Sequence, residues 1–181
     1  MVPFAGSFAK SAQPRKIVKR FLFTFALLTL VLFAIELTAP AQRYLIQPWT
    51  DALGTAGGVV ASWFDSSVVA RGATILNPAT GFGVTIVAGC NGVEATLILV
   101  AALVAYPAPW RSRLLGLAAG IVAIQGLNLV RVVSLFYLGQ WSLPAFEFAH
   151  LYVWQALIML DVLIVWLLWL RTLPREARGT A

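Results

Sequence analysis

Four apolar runs, separated by basic clusters and turn formers, constrain the fold of this chain more than any other feature. They cover residues 21–38, 84–106, 114–137 and 150–170. A spanning helix needs roughly 20 apolar residues, because the hydrocarbon core is about 30 Å thick and a helix rises 1.5 Å per residue. Only 11% of the 181 residues are charged, against about one quarter in soluble domains, and the mean hydropathy is +0.86. The expected fold class is therefore all-α. The chain should form a multi-pass integral membrane helical bundle of about four transmembrane helices with an outer loop or interfacial region, as one domain.

Charge placement orients the bundle. Ten of the thirteen basic residues fall in three groups: Lys10, Arg15, Lys16, Lys19 and Arg20; Arg111 and Arg113; Arg171, Arg175 and Arg178. Each group flanks an apolar run, and basic flanks mark the cytoplasmic side. Residues 1–20, 107–113 and 171–181 are thus expected inside, and 39–83 and 138–149 outside. A net charge of +6 distributed this way suits anionic membrane lipids and argues against nucleic acid. A cleaved signal peptide is the rival reading of the first run, with Ala39-Pro40-Ala41 as a small-residue site. The long basic region and long apolar core fit an uncleaved anchor better.

The outer segment 39–83 mixes Arg43, Trp49, Asp51, Trp63, Asp65 and Arg71 with apolar residues. Residues 52–64 carry an apolar set that suits an interfacial helix despite three glycines. Residues 68–87 scatter β-branched residues among turn formers, which leaves extended, re-entrant and loop readings open.

On this topology Cys90 opens the second helix, Arg131 closes the third and His150 opens the fourth, all near the outer interface. They include the only cysteine and the only histidine. A thiol becomes a nucleophile on losing its proton, which a nearby cation or a helix N-terminus favours. His150 can take that proton and return it to a leaving amine, and Arg131 can stabilise an oxyanion. Singly, each residue also has a bland reading: a small buried thiol, an interfacial ring, a snorkelling cation. Together at one depth they favour catalysis.

Other polar residues fall nearby. Glu94 lies one turn beyond Cys90, and Gln125, Asn128 and Arg131 recur at three-residue spacing along the third helix. Intramembrane ionisable groups usually face a bundle interior, so a Glu94–Arg131 ion pair is the expected contact. An orienting role for Glu94 on His150 is the alternative. Asp161 is too deep for the site and is expected to pair with Gln125.

The segments Gly89-Cys90-Asn91-Gly92-Val93-Glu94-Ala95 and Asn128-Leu129-Val130-Arg131-Val132, followed by the lone His150, resemble the exosortase/archaeosortase family. The wording is most similar to its compact exosortase H members. The resemblance implies a membrane cysteine transpeptidase of the bacterial inner membrane, with its site facing the periplasm. Its substrates would be membrane-anchored proteins bearing a C-terminal sorting signal, with transfer to an envelope acceptor. It assigns nucleophile, cation and base to Cys90, Arg131 and His150, and supporting places to Glu94, Asn128 and Asn91. Asn91 departs from the Ser or Thr that many members carry after the Cys.

No cofactor or metal is implied, since one His without a carboxylate–His helix motif cannot build a usual zinc site. A serine hydrolase using Ser134 lacks a glycine-flanked serine. The reading from another class is a scaffold or transporter subunit in which Glu94, Arg131 and Asp161 form a buried ion-pair network.

Overall fold

A computed structural model describes residues 14–173. Lys10, Arg175 and Arg178 of the basic clusters lie outside the described residues. The chain runs through α1 (Pro14–Glu36), α2 (Ala39–Ala41), a π turn (Gln42–Ile46) and α3 (Gln47–Ser62). Strands β1 (Val69–Arg71), β2 (Thr74–Asn77) and β3 (Phe82–Thr85) follow. The rest is α4 (Val93–Ala105), α5 (Trp110–Trp141), α6 (Leu143–Phe148), a second π turn (Ala149–Val153) and α7 (Trp154–Thr172).

It is a helical multi-pass membrane protein. Among the described residues, three helical stretches are long and apolar enough to cross a bilayer: Val18–Glu36, Trp110–Trp141 and Leu143–Thr172. Their outward faces are rich in exposed Leu, Val and Phe, such as Phe23, Leu30, Val122 and Leu168, which lipid would cover. The second expected run, 84–106, is different. Its helix α4 has 13 residues, about 20 Å of axis, because Val84 belongs to β3 and Gly89 and Gly92 adopt positive φ. Cys90 therefore lies in a turn before α4 and does not open it.

α4 is packed by α1, α5 and α7. Being surrounded, it is apolar all round, as a buried helix must be. Ala95, Leu99 and Leu103 of α4 meet Ile124 of α5 and Ile158, Val162 and Trp169 of α7 in one core cluster. The indole Nε1 of Trp169 donates to the Ser112 carbonyl at 2.7 Å, which ties the far ends of α5 and α7 together.

A second cluster joins α3, the sheet and the last third of α5 through Leu53, Ala61, Ile75, Ile86, Val132 and Phe136. The sheet is an antiparallel meander in the order β1-β2-β3, with Ile75 opposite Ala70 on one side and Val84 on the other. This resolves the segment that the sequence left open. The glycines of α3 are its contact surface with the sheet: a Cβ on Gly54 would strike the Gly72 carbonyl, and one on Gly58 would meet Ala70. At the sheet's end Asn77 donates to Asp65 at 2.8 Å and to Gln140 at 3.0 Å, fastening the meander to α5.

The expected outer loop 138–149 is instead helical except at Ser142. Gly139 sits inside α5 because the Phe82 ring occupies the space of its missing side chain. Pro144 falls in the first turn of α6, where its absent N–H is not needed. Ser142 caps that helix by accepting from the Ala145 N–H at 3.4 Å.

Candidate active site

The turn between β3 and α4 carries the thiol. Cys90 N–H donates to the Val87 carbonyl at 2.9 Å, and flanking glycines at φ +81° and +73° let the chain reverse on both sides. Asn128 on α5, fully buried, donates from Nδ2 to the Cys90 carbonyl at 3.2 Å. Glu94, in the first turn of α4, accepts the Gly89 N–H at 2.6 Å. Asn91 is held by three contacts. Its Nδ2 donates to Thr50 Oγ1 at 3.0 Å, its Oδ1 accepts the Val93 N–H at 3.1 Å, and its carbonyl accepts from Trp49 Nε1 at 3.2 Å. Gln125 adds a bond to the Gly92 carbonyl at 3.2 Å. The turn is thus fixed by side chains from α3, α4 and α5.

Two groups approach the sulfur. Arg131 Nη2 donates to Sγ at 3.5 Å, and His150 Nε2 lies 3.9 Å from it, the loose spacing common where substrate is absent. Arg131 is only 3% exposed, so its charge acts through a medium that screens it far less than water does. Burial pushes the Cys90 thiol above its usual pKa; the Arg131 guanidinium opposes that shift and the Glu94 carboxylate adds to it. Burial thus favours the protonated thiol, whose proton a base must take before it can attack.

His150 sits in the second π turn, and the Phe146 ring stacks on it with centroids 5.6 Å apart and planes 3° apart. Its Nδ1 is buried with no hydrogen-bond partner among the described residues. Ring stacking and helix position, and no carboxylate among the described residues, hold the imidazole. Cys90, Arg131 and His150 border one cavity of about 120 Å³. Val84, Thr85, Ile86 and Val87 also line it, and Val132, Leu135 and Phe146 complete it.

Several expected contacts do not form. Glu94 pairs with neither Arg131 nor His150, because its short reach from the first turn of α4 is taken up by the Gly89 amide. Gln125 turns to Gly92 and Thr96, so it does not meet Asp161, whose Oδ2 is buried without a partner among the described residues. The ion-pair network of the scaffold reading is consequently not present among Glu94, Arg131 and Asp161. Ser134 donates to the Arg131 carbonyl at 2.9 Å and borders an apolar groove of about 540 Å³ between α3 and α5, away from the imidazole's cavity.

Thr50 and Trp49 serve the site with no signal in the sequence that marks them, and Phe146 is signalled only by its four-residue spacing to His150.

No curated protein and no solved structure matches the chain. The profile of transmembrane exosortases matches residues 1–170, nearly the whole length and every element of the site. With a lone cysteine, an arginine and a lone histidine converging on one cavity of a multi-pass bundle, the chain belongs to the transmembrane exosortase family.

Proposed function

We propose that this protein is a cysteine transpeptidase that cleaves C-terminal sorting signals of membrane-anchored proteins at the periplasmic face of the bacterial inner membrane. The observation that carries this reading is the simultaneous approach of Arg131 Nη2 and His150 Nε2 to one sulfur. Membership of the exosortase family, one of membrane sorting and processing enzymes, supports it.

The chemistry follows from the geometry. His150 Nε2 takes the thiol proton as Sγ attacks the scissile carbonyl carbon. Arg131 faces the thiolate and, two bonds further out, the oxyanion that forms on the attacked carbonyl. The C–N bond then breaks, the amine leaves with the proton returned by His150, and a thioester remains on Cys90. A nucleophile from an envelope acceptor, or water, gives its proton to His150 as it attacks the thioester; the C–S bond breaks and the proton returns to Sγ. Asn128, Glu94 and Asn91 hold the turn that presents the thiol. The periplasmic placement is supported by the basic flanks at Lys16, Lys19 and Arg20, at Arg111 and Arg113, and at Arg171, which lie at the opposite membrane surface on this reading.

The test is a pool of membrane-anchored reporters in which a randomised segment precedes a transmembrane helix and a basic tail, co-expressed with the full chain. Cleaved reporters that disappear with Cys90→Ala and accumulate a thioester or hydroxylamine-sensitive adduct on the wild type support the reading. Cleavage that persists in Cys90→Ala overturns it.

A further inference from the structure

The sheet ends at β3, with no strand on its outer side among the described residues. The pairing identifies which backbone groups face that side. Ile86 N–H donates to the Ala73 carbonyl at 2.9 Å, and the register pairs Val84 with Ile75 and Phe82 with Asn77. In an antiparallel ladder, residues bonded to the neighbour alternate with residues whose N–H and C=O point the other way. Phe82, Val84 and Ile86 serve β2, so Gly83 and Thr85 turn their peptide groups outward. Both are exposed. Such an edge is a ready template for another strand.

This edge is continuous with the reactive atoms. Thr85 and Val87 form a wall of the cavity that Cys90, Arg131 and His150 also border. At about 120 Å³ the cavity holds a few waters' worth of volume, a water occupying about 30 Å³ of liquid. A peptide unit in extended form fits there, and a helix about 10 Å across does not.

We propose that the substrate docks its scissile segment as an added strand on the outer edge of β3, pairing main chain to main chain with Gly83 and Thr85. This rests on the transpeptidase reading and specifies how that site takes its substrate. Strand addition draws affinity from backbone hydrogen bonds and leaves side-chain pockets to choose among sequences. It also straightens the segment, so that the bond just past Thr85 arrives unfolded in front of Sγ.

Because the pairing is between backbones, an all-alanine peptide carries it. The probe is acetyl-tetra-alanyl chloromethyl ketone, set against acetyl-alanyl chloromethyl ketone and iodoacetamide, on the full chain in lipid vesicles. In each ketone the sulfur displaces chloride, a C–S bond replaces C–Cl, and the thiol proton passes to His150 or solvent. The longer ketone is expected to alkylate Cys90 about tenfold faster than the shorter one, the effect of one or two net hydrogen bonds. Peptides N-methylated at alternate residues come in two isomers. One should lose the gain and the other keep it, because only alternate amides face β3. Thr85→Pro removes an outward N–H and spares the backbone bonds to β2, losing only the hydroxyl contact to Thr74, and should pull the ratio of peptide to iodoacetamide rates towards that of the shorter ketone. Equal rates for the two ketones, or equal losses with both N-methyl isomers, would overturn strand addition while leaving the nucleophile intact. Iodoacetamide that labels Cys90 only after denaturation would overturn the nucleophile itself.

Discussion

Two halves of the bundle share helix α5 and differ in what holds them together. In one, Leu99, Leu103, Ile124, Val162 and Trp169 interlock by shape, with Trp169 to Ser112 as a polar fastening. In the other, short helices and a three-stranded meander are pinned by Asn77, Gln140, Asn91 and Thr50. The change comes within α5 between Ile124 of the first cluster and Val132 of the second. Gln125, Asn128 and Arg131 occupy that seam, and each donates to the Cys90 turn or its sulfur. Apolar packing supplies a rigid base, and the reactive groups stand where it gives way to directional bonds.

Changing one atom group at the seam should separate function from packing. Cys90→Ala should reduce reporter cleavage on the order of 10³-fold or more and leave the unfolding midpoint in detergent nearly unchanged. A stability loss of the same rank as the activity loss would make the thiol a packing residue. In the apolar half, Trp169→Ala should cost about 3–5 kcal/mol in a denaturant titration while the iodoacetamide rate at Cys90 of the folded fraction holds. A parallel fall in that rate would mean that the halves are not separable.

Gly92→Ala tests the polar half. It forces a left-handed φ of +73° on a residue with a Cβ that would lie 2.9 Å from the Gln125 amide. A cost of about 1–2 kcal/mol follows from backbone strain, with slower alkylation of Cys90 as the turn shifts. The smallest expected effect is electrostatic. Because burial holds the Cys90 thiol above its ordinary range, the alkylation rate should rise with pH through a midpoint above that of a free thiol, about 8.5. Glu94→Gln removes a charge that opposes the thiolate and should lower the midpoint. Arg131→Met removes the charge that favours it and should raise the midpoint. Opposite signs would mean that the two side chains do not act on the sulfur as charges.

The apolar half was legible from the chain because the hydropathy of residues 21–38, 114–137 and 150–170 answers to bilayer thickness alone. The polar half was not. Its strands are three and four residues long, too short for alternation to stand out among the turn formers of 68–87. Gly54, Gly57 and Gly58 look like helix breakers and are helix-to-sheet contacts. Gly139 and Pro144 look like a loop and are an α5 contact and an α6 first turn. In the site, residue types and depth pointed to Cys90, Arg131 and His150 as a set. Spacing could not show that Glu94 would spend its carboxylate on the Gly89 amide, because that choice depends on where the turn before α4 folds back.

The π turn at Ala149–Val153 means that His150 is aimed by winding number. A π turn holds one residue more than the α-helical path requires, and such insertions are frequent at functional sites. Each residue of an α-helix turns the chain by about 100°. Deleting a single residue there would leave α7 seated among its neighbours yet swing the α6 side, with Phe146, about a quarter turn around the axis. The lipid-facing sequence of α7 is thereby free to drift with the membrane it inhabits, while the angle of one imidazole is stored as a whole number of residues.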